Sequence, residues 1–196
     1  MRTTEKDEDA ALMIAVKNGD TGAFEGLLLK YEGPIINYVH RFTQDAREAE
    51  DIAQEVFLRV YKAAGTYVPS AKFSTWLYRI ASNLSLDHLK KRKHSLTWAA
   101  QPVPGRDRDG GDIDVKDAAS RTPETTAEDA AQKELVSSAL SGLPDNQRLA
   151  LTLKVYEDKS YKEISEILGC SVPAVESLIF RARQNLVKTL RSGTMT

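Results

Sequence analysis

The feature that most narrows what this chain can fold into is a break. From Ser95 to about Thr126 it includes PVPGRDRDGGDIDVKDAASRTPETT, rich in Pro, Gly, Asp and Thr and poor in large apolar side chains. Such a segment buries too little surface to offset the entropy of ordering it. The chain is expected to form two small units, over 8–94 and 127–192, joined by a flexible acidic linker over 95–126 whose simplest role is a passive tether.

On both sides of the break, apolar residues recur at helical spacing and no strand-like alternation appears, which gives an all-α fold class. A short helix over 8–18 ends at Gly19, and Asp20 caps a longer one with Phe24, Leu27, Leu28, Tyr31, Ile35, Val39 and Phe42 on one face and Pro34 as a kink. A third helix, from about Asp45 to Ala64, has Ala49, Ile52, Ala53, Val56, Phe57, Val60, Tyr61 and Ala64 as its buried stripe. Its outer face carries Glu48, Asp51, Gln54, Glu55, Leu58 and Arg59, where Leu58 is an aliphatic residue among charges. Gly65 and Pro69 mark a loop before the fourth helix, FSTWLYRIASNLSLDHLKKRK, with Ser74 as its expected N-cap.

In that fourth helix Leu77, Ile80, Ala81, Leu84 and His88 face a core. The other side shows Arg79, Asn83, Leu86, Lys90 and Lys93, with Trp76 at its edge and Lys90, Lys91, Arg92 and Lys93 as a basic end. Cations suit phosphates, an amide suits a base edge, and an indole can stack on a base. A solvated face with lysines complementing the helix dipole fits the same residues. Charge is segregated, however: residues 61–94 hold seven basic and one acidic side chain although the whole chain has a net charge of −1. That pattern points to a localised polyanion site.

Beyond the break, Leu135, Val136, Ala139 and Leu140 form a helix ending near Gly142, and Leu143-Pro144-Asp145 opens another. Ser160 to Leu168, the turn Gly169-Cys170-Ser171 and a helix to about Leu190 make a helix-turn-helix arrangement. The last helix packs Val175, Ile179, Ala182, Leu186 and Leu190 inward and turns Pro173, Ser177, Phe180, Arg181, Gln184 and Lys188 outward. Cations, short polar groups and an apolar side chain able to meet a thymine methyl suit the major groove.

Chemistry of other kinds finds little support. His40, His88 and His94 have no metal-ligand spacing, Cys170 lacks a nearby His and reads as a small buried structural thiol, and no phosphate loop or nucleophile elbow is present. No metal, cofactor, small-molecule substrate or catalytic residue is expected. The charged start MRTTEKDEDA and the lack of a long apolar run lead to an expected cytoplasmic location without membrane insertion.

Four segments, AEDIAQEVFLRVYKA, FSTWLYRIASNLSLDHLKKRK, LPDNQRLALTLKVYEDKSYKEISEILGCS and VESLIFRARQNL, together resemble the extracytoplasmic-function (ECF) class of bacterial sigma factors. The resemblance implies a non-catalytic subunit that gives core RNA polymerase its choice of promoter DNA. Asp51, Gln54, Glu55, Leu58 and Arg59 then match the surface that docks on the clamp coiled coil of the large subunit. The loop 66–72, including Lys72, with Trp76, Arg79, Asn83 and the basic end, matches the reader of the melted −10 element. The last helix matches the reader of the double-stranded −35 element, and an anti-sigma factor is the implied regulator. Glu176 and Leu178 stand where basic residues are common in the family. Glu176 can accept from cytosine N4, hold Arg183 or a lysine of the preceding helix, or repel phosphate, with the structural roles ahead, and Leu178 is expected to pack between helices. An autonomous helix-turn-helix regulator with an N-terminal effector or dimerisation module is the alternative, and a helical adaptor a third.

Overall fold

The computed structural model describes residues 7–99 and 135–193. Every regular element among them is helical: α1 Glu8–Lys17, α2 Thr21–Thr43, α3 Ala46–Ala63, a 3-10 turn Ala64–Thr66, α4 Phe73–Ala99, α5 over 135–141, α6 Asp145–Val155, α7 Tyr161–Leu168 and α8 Val172–Gly193. Most of the expected linker lies outside the described residues, but α4 continues to Ala99, five residues into it.

The first three helices start in the same way. Asp7, Asp20 and Asp45 each accept a hydrogen bond from the backbone amide three residues on, at 3.3, 3.1 and 3.0 Å. An aspartate there satisfies an amide that the helix itself leaves unpaired. Helix α4 starts differently. It begins at Phe73, so Ser74 lies within the first turn and is not the N-cap expected from the sequence. Asp7 of α1 instead accepts from the Phe73 amide at 2.6 Å, while Ser74 Oγ accepts from Lys159 at 3.1 Å.

Helices α1 to α4 surround one core containing Met13, Leu27, Ile35, Tyr38, Val56, Phe73 and Leu77. Helix α2 runs through Pro34 without a break. Alongside Leu77 and Ala81, α4 buries Tyr78, Ser82, Ser85 and Leu89, while Ile80, Leu84 and His88 are only partly covered. The buried serines are tolerated because each donates to the carbonyl four residues back, Ser82 to Tyr78 and Ser85 to Ala81, at 2.7 and 2.8 Å. Ser82 also pairs with the Tyr38 hydroxyl at 2.7 Å.

In the second unit, Leu149 and Leu153 of α6 pack with Ile164 and Ile167 of α7 and Val175, Ile179 and Ala182 of α8. Ser160 and Glu163 form a capping box at the start of α7. Gly169 ends that helix at φ +64°, a conformation costly for a residue with a Cβ, and the chain turns into α8 within three residues. Ser171 Oγ accepts from the Ala174 amide at 3.4 Å, as expected of its cap. Cys170 is half-buried in this turn rather than fully enclosed.

The two units touch. Helix α7 lies against α4, and α6 meets α2.

Candidate functional site

On α3 the expected docking residues share one outward face: Asp51, Gln54, Leu58 and Arg59 are exposed and Glu55 is half-buried. Arg59 and Glu55, one turn apart, pair at 2.9 Å. Leu58 keeps 45% of its surface exposed. It forms the lip of a groove of about 650 Å³ between α2 and α3, walled by Phe24, Leu28, Ile36, Phe57 and Tyr61. The helical spacing assigns Tyr61 to the core, but it is 52% exposed; its ring meets Phe24 edge-on at 5.1 Å and borders the groove. Glu32, Glu50 and Gln54 add polar groups to this lining, so an apolar floor carries a polar margin.

The second face is built around the loop that follows the 3-10 turn. Tyr67 is buried where the loop begins, Val68 to Lys72 are exposed, and Phe73 is buried where it ends. Tyr67, Phe73 and Trp76 form an aromatic cluster, with the Tyr67 and Trp76 rings 5.0 Å apart. Beside them is a cavity of about 280 Å³, lined by Tyr67, Val68, Ser70, Ala71, Thr75, Trp76, Arg79 and Glu166. Tyr67 and Thr75 are 5% and 3% exposed, and the hydroxyl of each is buried without a hydrogen-bond partner among the described residues. An unpaired buried hydroxyl is costly and can both donate and accept. Arg79 and Asn83 continue this face along α4, both exposed. Neither Tyr67 nor Thr75 could be singled out from the sequence, because their unpaired hydroxyls are a property of the packing.

The basic end of α4 divides. Lys90 and Lys91 are exposed. Arg92 turns back onto the protein, donating to the Thr43 carbonyl at 3.3 Å and pairing with Glu48 at 3.5 Å. Glu48 also meets His88 at 3.3 Å. Lys93 lies in the helix, and its side chain is outside the described residues.

The third face is on α8. Pro173, Ser177, Phe180, Arg181, Gln184 and Lys188 are all exposed, and Phe180 retains 62% of its surface. Arg181 Nε donates to the Ser177 carbonyl at 3.2 Å, which lays the guanidinium along the helix surface. Leu178 packs against the core as expected. Glu176 does not follow its expected pairing: it is exposed and has no hydrogen bond or ion pair among the described residues.

Between the units, carboxylates of the second meet side chains of α2, α4 and the loop before α4. Lys72 pairs with Glu163 at 3.0 Å, the Tyr78 hydroxyl donates to Glu157, and Arg41 approaches Glu157 at 4.0 Å. Gln44 donates to the Ser137 carbonyl at 2.9 Å. Burial works against the charge on Glu163, but the Ser160 hydroxyl and amide and the Lys72 ammonium outweigh it and hold the carboxyl at about 2. Burial, and then the Glu157 carboxylate, push the Tyr78 phenol up. Among the described residues no group of His, Cys, Asp and Glu is arranged to hold a metal ion, and no helix is long and apolar enough to cross a membrane.

This geometry defines a class: an all-helical DNA-binding chain with an aromatic and basic face on one unit and a helix-turn-helix on the other. The Sigma-70 region 2 model matches residues 27–95, and the Sigma-70, region 4 model matches residues 133–186. The RNA polymerase sigma-H factor of Pseudomonas aeruginosa is 37% identical over 186 residues, covering 95% of each chain. The ECF RNA polymerase sigma factor SigW of Bacillus subtilis is 35% identical over 176 residues, covering 90% of this chain and 93% of its own. A similar fold is found in the sigma factor RpoE of Bartonella quintana, solved in complex with the anti-sigma factor NepR, with a TM-score of 0.62 at 20% identity over 86% of this chain and 96% of that one. The chain belongs to the ECF sigma factors. It binds core RNA polymerase and directs promoter-specific transcription initiation at −10 and −35 elements.

Proposed function

We propose that three faces divide this work. The outer face of α3, with Asp51, Gln54, Glu55, Leu58 and Arg59, docks on the clamp coiled coil of the large polymerase subunit. Leu58 and the groove beside it supply the apolar centre, and the surrounding charges supply the rim. The loop 66–72 with Trp76, Arg79 and Asn83 reads the melted −10 element, while Lys72, Lys90 and Lys91 contribute charge toward its phosphates. Helix α8 enters the major groove at −35 with Pro173, Ser177, Phe180, Arg181, Gln184 and Lys188. In the same reading, 8–94 and 127–192 act as separate promoter-reading domains, and 95–126 tethers them.

The observation that carries the −10 assignment is the cavity beside Trp76, with the unpaired hydroxyls of Tyr67 and Thr75 at its border. One extruded base entering there stacks on an aromatic wall and supplies hydrogen-bond partners to groups that lack them. Glu166 of α7 lines the same cavity and must withdraw before a base enters. Promoter reading therefore requires α7 to leave α4, which breaks the Lys72–Glu163 and Tyr78–Glu157 contacts.

The chain acts in the cytoplasm, alongside polymerase, and has no catalytic activity of its own. An anti-sigma factor is its regulator, as NepR partners the similarly folded RpoE. The test is Asn83→Ala. A base-edge contact contributes about 1–3 kcal/mol, so open-complex formation falls and preference at one −10 position relaxes while core binding is retained. Permanganate reactivity matching wild type on every −10 variant would overturn the assignment.

A further inference from the structure

The loop proposed to read the −10 element is exposed between its ends, yet both ends are tied to the same distant helix. Lys17, at the last turn of α1, donates from Nζ to the Tyr67 carbonyl at 3.1 Å. Asp7, the N-cap of α1, accepts from the Phe73 amide through Oδ2 at 2.6 Å and from the Ala10 amide through Oδ1. The two anchors are 10 residues apart on α1, and they grip the residues at which the loop enters and leaves the core. Each bond pairs a charged side chain with a backbone group, the stronger kind of hydrogen bond.

The anchored residues are the ones that shape the cavity. Tyr67 lines it, and Phe73 packs on both Tyr67 and Trp76, with ring centres 6.3 and 5.9 Å apart. Between the anchors the loop has little of its own to hold it; among the described backbone bonds only Ser70 to Val68, at 2.8 Å, closes within it. Without Lys17 the Tyr67 carbonyl loses its charged donor. Without Asp7 the first turn of α4 loses the acceptor that fixes where the helix, and so Trp76, begins. A reader that must meet an extruded base depends on walls already in place.

We propose that Asp7 and Lys17 are positioning residues for −10 recognition: α1 holds both ends of the loop 67–73 so that Tyr67 and Trp76 face the incoming base as a preformed pair. This rests on the assignment of that loop as the −10 reader. Both act on the reading face from behind, Lys17 through the start of the loop and Asp7 through the start of α4.

The experiment uses full-length chain assembled with core polymerase on a duplex promoter, followed by permanganate reactivity across −10 and by competition among −10 variants. The variants are Lys17→Ala, Lys17→Arg and Asp7→Ser, with Trp76→Ala as the control for the reading face. Asp7→Ser keeps a capping oxygen for α1 but is too short to bond Phe73 as well. The expected result is roughly tenfold slower opening and flattened −10 preference for Lys17→Ala and Asp7→Ser, recovery with Lys17→Arg, and wild-type binding to core and to a −35 duplex. Thermal unfolding sets the temperature at which all variants are equally folded. If Trp76→Ala loses opening but both anchor variants keep wild-type preference, the positioning role is wrong and the −10 assignment stands. If Trp76→Ala also opens like wild type, the assignment itself fails. Equal loss of −35 binding and −10 preference in the anchor variants would mean general damage and would overturn the proposal.

Discussion

Replacing Leu58 probes the proposed polymerase-docking face with a predictable size of effect. Burying a leucine completely stabilises by about 1.5–3 kcal/mol. In the free chain, 45% of Leu58 is still exposed, so docking can gain about 1 kcal/mol from it. Leu58→Ala should then weaken core binding about fivefold. Leu58→Glu loses the same gain and places an unpaired carboxylate at the centre of the interface, which costs about 2 kcal/mol more and brings the loss to roughly a hundredfold. The fold should be unaffected, because the side chain lies opposite the stripe of Ala49, Ile52, Ala53, Val56 and Val60 that packs inward. The assay is a fluorescence anisotropy titration of labelled chain with core enzyme, with circular dichroism melting of each variant beside it. Wild-type affinity for both folded variants, or a larger loss for alanine than for glutamate, would refute the reasoning.

The basic end of α4 should behave unevenly: Lys90→Ala with Lys91→Ala reduces the salt slope of promoter binding by about 0.7–0.9 for each phosphate no longer neutralised, whereas Arg92→Ala chiefly loosens the contacts of α4 with Glu48 of α3 and Thr43 of α2, visible as a lower Tm. Glu163 should titrate near 2 by NMR in the free chain; its folded value lies below the unfolded one, so its stabilising effect is complete above about pH 4.5 and is lost as the pH falls toward 2, and a midpoint near 4.5 would remove the capping-box and Lys72 account. Glu157→Lys should repel Arg41 and remove the acceptor of Tyr78, separating the units and raising the radius of gyration in small-angle scattering; an unchanged radius would mean that these contacts do not hold them together. On α8, Arg181→Ala should reduce −35 binding, and Glu176→Arg should raise affinity for many sequences alike; selection from a randomised −35 library separates this outcome from a swap of one preferred base for another, which would assign Glu176 to base reading.

Much of this architecture is legible in the sequence because it follows local rules. Asp20 and Asp45 announce their helices through a hydrogen bond only three residues long, and the outward residues of α8 follow from a clean 3.6-residue period. What escapes such reading is long-range. Ser74 is the locally sensible cap for α4, yet the acceptor comes from Asp7, 66 residues away. Ser82 and Ser85 look like surface residues until the carbonyls they bond are seen. Tyr61 falls within the apolar stripe by spacing, but α2 offers it the edge of Phe24 rather than an enclosed site. Tyr78 meets Glu157 across 79 residues, a pairing that no periodicity contains. The Leu58 anomaly needs no structure, since an aliphatic side chain on a charged face stands out directly in the sequence.

The division of labour between the two units is tested most directly by following both promoter elements in one reconstituted system: core polymerase with wild type, Arg79→Ala/Asn83→Ala, or Arg181→Ala, footprinted at −35 and probed with permanganate at −10. The expected result is a clean separation. The α4 double variant protects −35 but leaves −10 closed, while Arg181→Ala loses −35 protection yet still binds a template whose −10 segment is already unpaired. If the α4 variant opens −10 as well as wild type, or if both variants fail at the same step, then α4 and α8 do not read separate promoter elements.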